Sequence, residues 1–443
     1  MRKEASLAAA LLALATASAP GVLDQEPPTA GAAPDAPRAE SAADEEIPGR
    51  VRYWLDRLGD PDEDRREKAA DELGDLGAEA APAIPGLIAA LGDPHAEVRE
   101  ELVDALRDIS QKTRRLPDGV IDALARVIRE DPEPSVREDA VDALEDIGRC
   151  AHGEPLALAI RALLPGLEDR DASVRRETIE SLGELLRRAR KLRRLTVFTT
   201  TPPATATDLS EEASRTLEQL DAVLAAAVSP LTRAYATTDD DDAREEIVDV
   251  LEGLGASVAG VVDALSAALE DPEEDIRRKA VEALRDAAVE GKSDVAGRVV
   301  PLLEEALRDR SEEVREEAVS ALGRIGAPAR RAVPALSALL VGADSSTRER
   351  AAEALGSIGS GVEEPGAELL EALTRALADT EDDVREEAAE ALGRLGARAA
   401  SAAPALLRAL DDEDRDVRRQ AARALDRIER SGAAGAAGAA EPR

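Results

Sequence analysis

Apolar residues recur along this chain at helical spacing, in short stretches that begin and end on polar turns. Across residues 309–326 the positions Val314, Ala318, Ala321, Leu322 and Ile325 fall on one stripe of a helix. Glu312, Glu313, Glu316 and Glu317 place acid near its start, where the positive end of the helix dipole favours it. Gly326 follows the last apolar residue and suits a left-handed cap. The pattern predicts a short amphipathic helix with both ends marked.

The same phrase returns through the chain, and its arginine marks it: Arg66, Arg99, Arg137, Arg175, Arg244, Arg277, Arg315, Arg348, Arg385 and Arg418. Successive steps are 33, 38, 38, 69, 33, 38, 33, 37 and 33 residues, so one step alone breaks the rhythm. Six positions before most of these arginines stands an aspartate: Asp60, Asp93, Asp131, Asp169, Asp271, Asp309, Asp379 and Asp412. Valine or isoleucine usually precedes the arginine, as at Val98, Val136, Ile276 and Val384. A second apolar stretch comes before each aspartate, for example over residues 81–91, 299–307, 332–340 and 402–410. Pro82, Pro301, Pro334 and Pro404 lie at or near the first turns of these stretches, where a missing N–H costs little. A period in this range predicts about ten helical hairpins stacked on one another. The Asp–Arg spacing across each turn predicts that every arginine pairs with a turn aspartate of its own or an adjacent repeat, in a structural ladder.

The signature Asp-x5-Val-Arg-x2-Ala-x2-Ala-Leu resembles the HEAT repeat, and within it the phycobilisome-lyase-type repeats. The resemblance covers roughly residues 48–430. It implies an all-α fold, a right-handed α-solenoid of the HEAT/armadillo-like superhelical kind, and typically an internal Arg–Asp ladder. The fold serves many roles, so function has to be argued from sites. Deoxyhypusine hydroxylase shares such repeats and holds two irons with several His-Glu pairs. Here His95 precedes Ala96 and His152 precedes Gly153, so the ligand set does not carry over. A bilin lyase activity would need an aromatic-lined pocket, and aromatic residues make up 1% of the chain.

That scarcity also changes the picture of the core. Of 443 residues 44% are hydrophobic, much of this alanine. Small side chains suit a thin continuous core in which helices approach closely. The formal net charge is −36, which disfavours nucleic acid and anionic membrane surfaces and leaves too few rings to stack bases. Protein partners with basic surfaces fit better. A monomer is the expectation. The single cysteine, Cys150, excludes an internal disulfide.

Arg2 and Lys3, an apolar run over residues 7–15 and the small residues Ala15 and Ala17 give residues 1–17 the layout of a signal peptide, hence export to the periplasm or the extracellular space. That apolar run is too short to span a membrane, so no integral segment is expected after cleavage. Residues 18–47, rich in Pro, Ala and acid, read as a disordered linker. Trp54, beside Tyr53, reads as a seal on the first repeat or as a partner anchor. Within the 69-residue step, residues 187–210 read as an insertion. There the basic cluster Arg187, Arg188, Arg190, Lys191, Arg193 and Arg194 ends a helix and runs into a Thr/Pro stretch with Phe198, Pro202 and Pro203. The cluster is a candidate docking point for an acidic partner or a tether to the acidic surface. The Gly/Ala tail over 431–443 is expected to be disordered.

No catalytic residue, cofactor site or metal site emerges. Cys150 and His152 are too few ligands for zinc, and no serine or cysteine sits in a recognisable nucleophile motif. Asp239–Asp242 and Asp411, Asp412 and Asp414 could offer oxygens to calcium, but they lack the loop pattern and suit helix caps. The sequence therefore reads as a non-catalytic exported scaffold for protein–protein interaction. The alternatives are a lyase- or hydroxylase-like repeat enzyme and a calcium-responsive binding module.

Overall fold

The computed structural model describes residues 47–113, 115–200, 207–255, 257–291 and 293–438. The signal-peptide reading, nearly all of the linker, the link at 201–206 and the last five residues lie outside these. The described residues are helical, without a strand. The helices are α1 (Gly49–Leu55), α2 (Glu63–Leu76), α3 (Ile84–Ala90), α4 (Ala96–Lys112), α5 (Val120–Glu130), α6 (Pro134–Cys150), α7 (Glu154–Leu163), α8 (Ala172–Thr200), α9 (Thr207–Thr237) and α10 (Asp241–Leu254). They continue as α11 (Val261–Ala268), α12 (Glu274–Glu290), α13 (Ser293–Ala306), α14 (Glu312–Ile325), α15 (Val333–Gly342), α16 (Ser345–Ser360), α17 (Ala367–Ala376), α18 (Asp382–Leu395), α19 (Ala403–Ala409) and α20 (Arg415–Gly438). Odd-numbered helices open each hairpin, and even-numbered ones close it and carry the marker arginine. This is an all-α solenoid of stacked hairpins.

The phrase read at 309–326 folds as expected. Ser311 caps α14 by accepting the Val314 N–H, Glu312 and Glu313 occupy the first turn, and Gly326 ends the helix at φ +70°. The stripe Val314, Ala318, Ala321, Leu322 and Ile325 is buried. Several opening helices begin as a short 3-10 turn, such as Gly77–Ala83 before α3 and Ala327–Ala332 before α15.

The chain forms two compact units. One comprises residues up to 181 with 188–223, the other 182–187 with 224–443. In each, second helices pack on second helices: α2 on α4 and α4 on α6 in the first, and α10 through α20 in sequence in the second. The core is thin and aliphatic. Leu73, Leu102, Leu106 and Leu144 are fully buried in the first unit, and Leu284, Leu322, Leu355 and Leu392 in the second.

Glycine permits the closest approaches. A Cβ at Gly356 would lie 2.7 Å from the Ala391 Cβ and 2.9 Å from its Cα, and one at Gly393 would lie 3.0 Å from the Ala424 Cα. Backbone therefore meets backbone where the recurring Ala-Leu-Gly passes the alanine of the next second helix.

Two expectations need correction. The basic stretch does not end a helix, because α8 runs through it to Thr200 and α9 starts at Thr207. Leu192 and Leu195 keep an i, i+3 pair going, and Arg and Lys are good helix formers. The tail also departs from the disordered reading: α20 continues through Ser431 to Gly438, since alanine favours the helix.

Candidate functional site

Among the described residues, seven of the repeat turns use their aspartate three times. At Asp309 the carboxylate accepts the Ser311 N–H at 2.8 Å, shaping the turn. Its carbonyl accepts Nη1 of Arg315, six residues on, at 2.9 Å. The same carboxylate accepts Nε and Nη2 of Arg277 from the preceding repeat, at 2.8 and 3.0 Å. The arginine is thus fixed by its own turn and aims a two-pronged fork at the next, the geometry in which guanidinium binds carboxylate best.

Further rungs of this kind join Arg66 to Asp93, Arg99 to Asp131, Arg137 to Asp169, Arg348 to Asp379 and Arg385 to Asp412. Arg244 reaches Asp271 through Nε alone at 2.9 Å and turns Nη2 to Asp241, while the Tyr235 hydroxyl donates to the same Asp271 oxygen. Burial pushes Asp309 and Asp379 up, yet the guanidinium forks and turn N–H groups outweigh it and hold both carboxyls below the usual range. At Asp412 the Arg385 fork is the main cause of the same depression.

Three of the ten arginines hold no carboxylate among the described residues. Arg175, Arg315 and Arg418 bond only to carbonyls of their own turns. Arg418 lies in the last repeat of the described residues. The turn after Arg315 carries Gly342 where most others carry aspartate, and Thr238 stands at the same place before Arg244.

The second helices also bring together residues that the sequence reading did not single out. In the first unit Glu101 and Asp104 on α4, Asp139 and Asp142 on α6 and Glu177 on α8 form an acid-rich row, joined electrostatically to Glu67 and Asp71 on α2. Partial burial, then repulsion from Asp71 and Asp104, pushes Glu101 up to about 7. The same two effects, with Asp104 and Glu100 as the repelling groups, push Asp139 up to about 6. Asp142 and Glu177 hydrogen-bond to each other and are both raised, burial leading. Arg107 is the cation that relieves Glu101, Asp104, Asp139 and Asp142.

In the second unit cations interleave more of the corresponding acids, although burial still pushes Glu387 up to about 7 against the neighbouring Arg394. Lys279 reaches Asp249 at 2.7 Å and Glu245 at 2.9 Å, and Arg285 reaches Glu317 at 2.8 Å. The signal lies in register: positions two and five after the marker arginine are Glu101 and Asp104, Asp139 and Asp142 in the first unit, but Lys279 and Glu282 after Arg277.

These raised carboxyls bind protons more readily folded than unfolded. Their repulsion is fully present above pH 7 and is relieved as pH falls through about 7 and 6. The rung aspartates have the opposite sign, and their stabilisation is lost as pH falls through their depressed values. Thermal stability is therefore expected to rise from pH 8 to about pH 5 and to fall below pH 4. Melting midpoints across pH 3–9 check this, and a monotonic fall from pH 8 downward would refute it.

The remaining candidates are placed as follows. Arg193 pairs with Asp221 on α9, Arg188 donates to the Ala151 carbonyl at 3.2 Å, and Arg187 lies 3.7 Å from Glu184. Arg190 and Arg194 are also engaged, while Lys191 is exposed. Trp54 stacks edge-on with Tyr53 at 4.8 Å, and Arg57 lies 3.5 Å above the Tyr53 ring, at the start of the first unit.

Asp240 caps α10 by accepting from Asp242 and Ala243, and Asp414 accepts from Asp416 and Val417. Asp412 belongs to a rung, so of the acids considered for calcium, Asp240, Asp412 and Asp414 serve turns and helix starts. His95 pairs with Glu63 in a repeat turn, and burial and Arg188 lower the His152 pKa. Cys150 is exposed. Among the described residues no helix is long and apolar enough to cross a membrane.

Comparison with known families bears on this geometry. The family model of HEAT repeats matches residues 51–148, 262–356, 299–393 and 368–437, more than half of the chain. The chain belongs to the HEAT-repeat family. None of the curated proteins compared with it matches. Among solved structures, the crystal structure of an engineered protein is similar at 23% identity and a TM-score of 0.43, covering 86% of this chain and 99% of that one. In HEAT-repeat terms, the rungs lie at the turns and the acid-rich row lies along the second helices.

Proposed function

We propose that this HEAT-repeat protein is a non-catalytic scaffold, and that the second helices of its first unit receive a basic segment of a partner protein. The observation that carries the reading is the acid-rich row itself. Glu101, Asp104, Asp139, Asp142 and Glu177 crowd at the cost of mutual repulsion over three successive second helices, whereas in the second unit Lys279 and Arg350 stand at matching positions and pair with acids, and Glu387 is raised with Arg394 beside it. Repulsion kept at one face is what a site for cations on a partner requires, since function is often retained at the expense of stability. Lysines or arginines spaced to meet α4, α6 and α8 would replace the missing counter-charges, speeding association and fixing register.

The test uses the full chain and an oligolysine peptide. Replacing Glu101, Asp139 and Glu177 by their amides is expected to weaken binding roughly tenfold at moderate salt and to raise the melting midpoint. Neutralising Glu363, Glu364 and Glu368 removes the same charge elsewhere in the chain and is expected to do far less. Equal losses from both sets would reduce the attraction to net charge and contradict the site. The reading includes export directed by residues 1–17, which fractionation of cells expressing the chain with and without them tests.

A further inference from the structure

Within the second unit, rungs clamp α10 to the turn before α12, α12 to that before α14, and α16 to that before α18. The junction between α14 and α16 is built differently. Arg315 is anchored by the Asp309 and Arg310 carbonyls at 2.9 and 3.3 Å, much as Arg277 is by Asp271 and Pro272 at 2.9 and 3.0 Å. Yet its fork meets no carboxylate, because Gly342 stands where the following turn needs aspartate. Helix α15 runs on through Gly342, and Arg348 shifts its own anchor to the Ala343 carbonyl at 2.8 Å.

Less enclosed contacts replace the missing rung. Carboxylate oxygens of Glu312 and Glu316 on α14 and of Asp344 before α16 all lie within 4.8 Å of one another. Asp344 caps α16 through Thr347 and is attracted by Arg315, while Glu316 accepts from the Ser346 hydroxyl and faces Arg350 at 3.4 Å. On α15, Val341 is 72% exposed and the buried Ser337 hydroxyl lacks a partner. Further along the same helix pair the contact is tight: a Cβ at Gly323 would lie 2.9 Å from the Ala354 Cα.

We infer that the junction of α14 with α16 is a hinge within the second unit, held at the Gly323–Ala354 contact and opening at its turn end. Where other junctions have a buried two-pronged rung at the turn, this one has only the contacts of Glu316 with Ser346 and Arg350 and an attraction between Arg315 and Asp344 that forms no fork. The hairpins before α15 and those after it can therefore part without breaking a rung.

Hydrogen exchange on the full chain tests the hinge. Amides of α15 and α16 are expected to exchange about tenfold faster than those of α17 and α18, whose junctions carry a complete rung. Gly342→Asp, which supplies the absent carboxylate, is expected to slow them. Because that substitution also alters the end of α15, a second variant, Glu312→Gln, removes repulsion while leaving the contacts of Glu316 with Ser346 and Arg350 in place, and it is expected to slow them too. Equal protection of the two helix pairs in the unaltered protein would overturn the hinge, as would unchanged exchange in both variants.

Discussion

Replacing Arg137 by alanine is expected to destabilise the first unit by about 3 kcal/mol, the scale for removing one partner of a buried ion pair. Both partners are enclosed: the Arg137 side chain is 2% exposed and that of Asp169 is 7% exposed. Alanine would leave the Asp169 carboxylate with the Asp171 N–H but without its fork, and would leave the Asp131 and Pro132 carbonyls without their donor. At roughly 2–4 °C per kcal/mol for a unit of this size, the midpoint should fall by about 6–12 °C. Arg315→Ala supplies the contrast, because Arg315 forks no carboxylate and gives up bonds to its own turn and an attraction to Asp344 that forms no hydrogen bond. Its midpoint should fall by much less. Thermal melts of both variants check the difference, and equal shifts would deny the rungs any special weight.

The second large effect is expected at Gly356, where α16 meets α18. Leucine there would have to place its branch where the Ala391 Cβ and Cα already lie within 3 Å of the would-be Cβ. The helix backbones must then separate, at a cost near the upper end of overpacking, about 3 kcal/mol. Better helix propensity recovers less than about 1 kcal/mol of this. Gly297, which has open space around its would-be Cβ, is the control. Gly297→Leu should raise the melting midpoint slightly through helix propensity alone, whereas a harmless Gly356→Leu would show that the backbones are not in contact.

The fold was legible because its signals are local. Helix periodicity, the Asp-to-Arg spacing of six and the glycine after Ile325 all act within one hairpin; ten copies repeat the periodicity and eight the spacing. Even the vacant fork of Arg315 could be read in outline, since Gly342 replaces the aspartate at the turn concerned. What a single hairpin cannot show is which turn each fork reaches. Arg277 lies six residues from Asp271 but gives its fork to Asp309, and only stacking brings those two groups together.

The acid-rich row escaped notice for the same reason. On one helix, Asp139 or Glu177 is an ordinary solvated charge, and only the register between α4, α6 and α8 crowds them. The basic stretch was misjudged in the other direction. A charge run next to Thr and Pro suggested a loose end, while Leu192, Leu195 and the Arg193–Asp221 pair bind it into a continuous helix beside α9.

The claim beneath all of this is that neighbouring repeats are joined through the fork of one and the turn aspartate of the next. A double-mutant cycle of Arg137→Ala and Asp169→Ala by urea unfolding measures that link directly. The account predicts strong coupling, about 2–3 kcal/mol, with the double variant little less stable than either single one. Simple additivity of the two losses would contradict it.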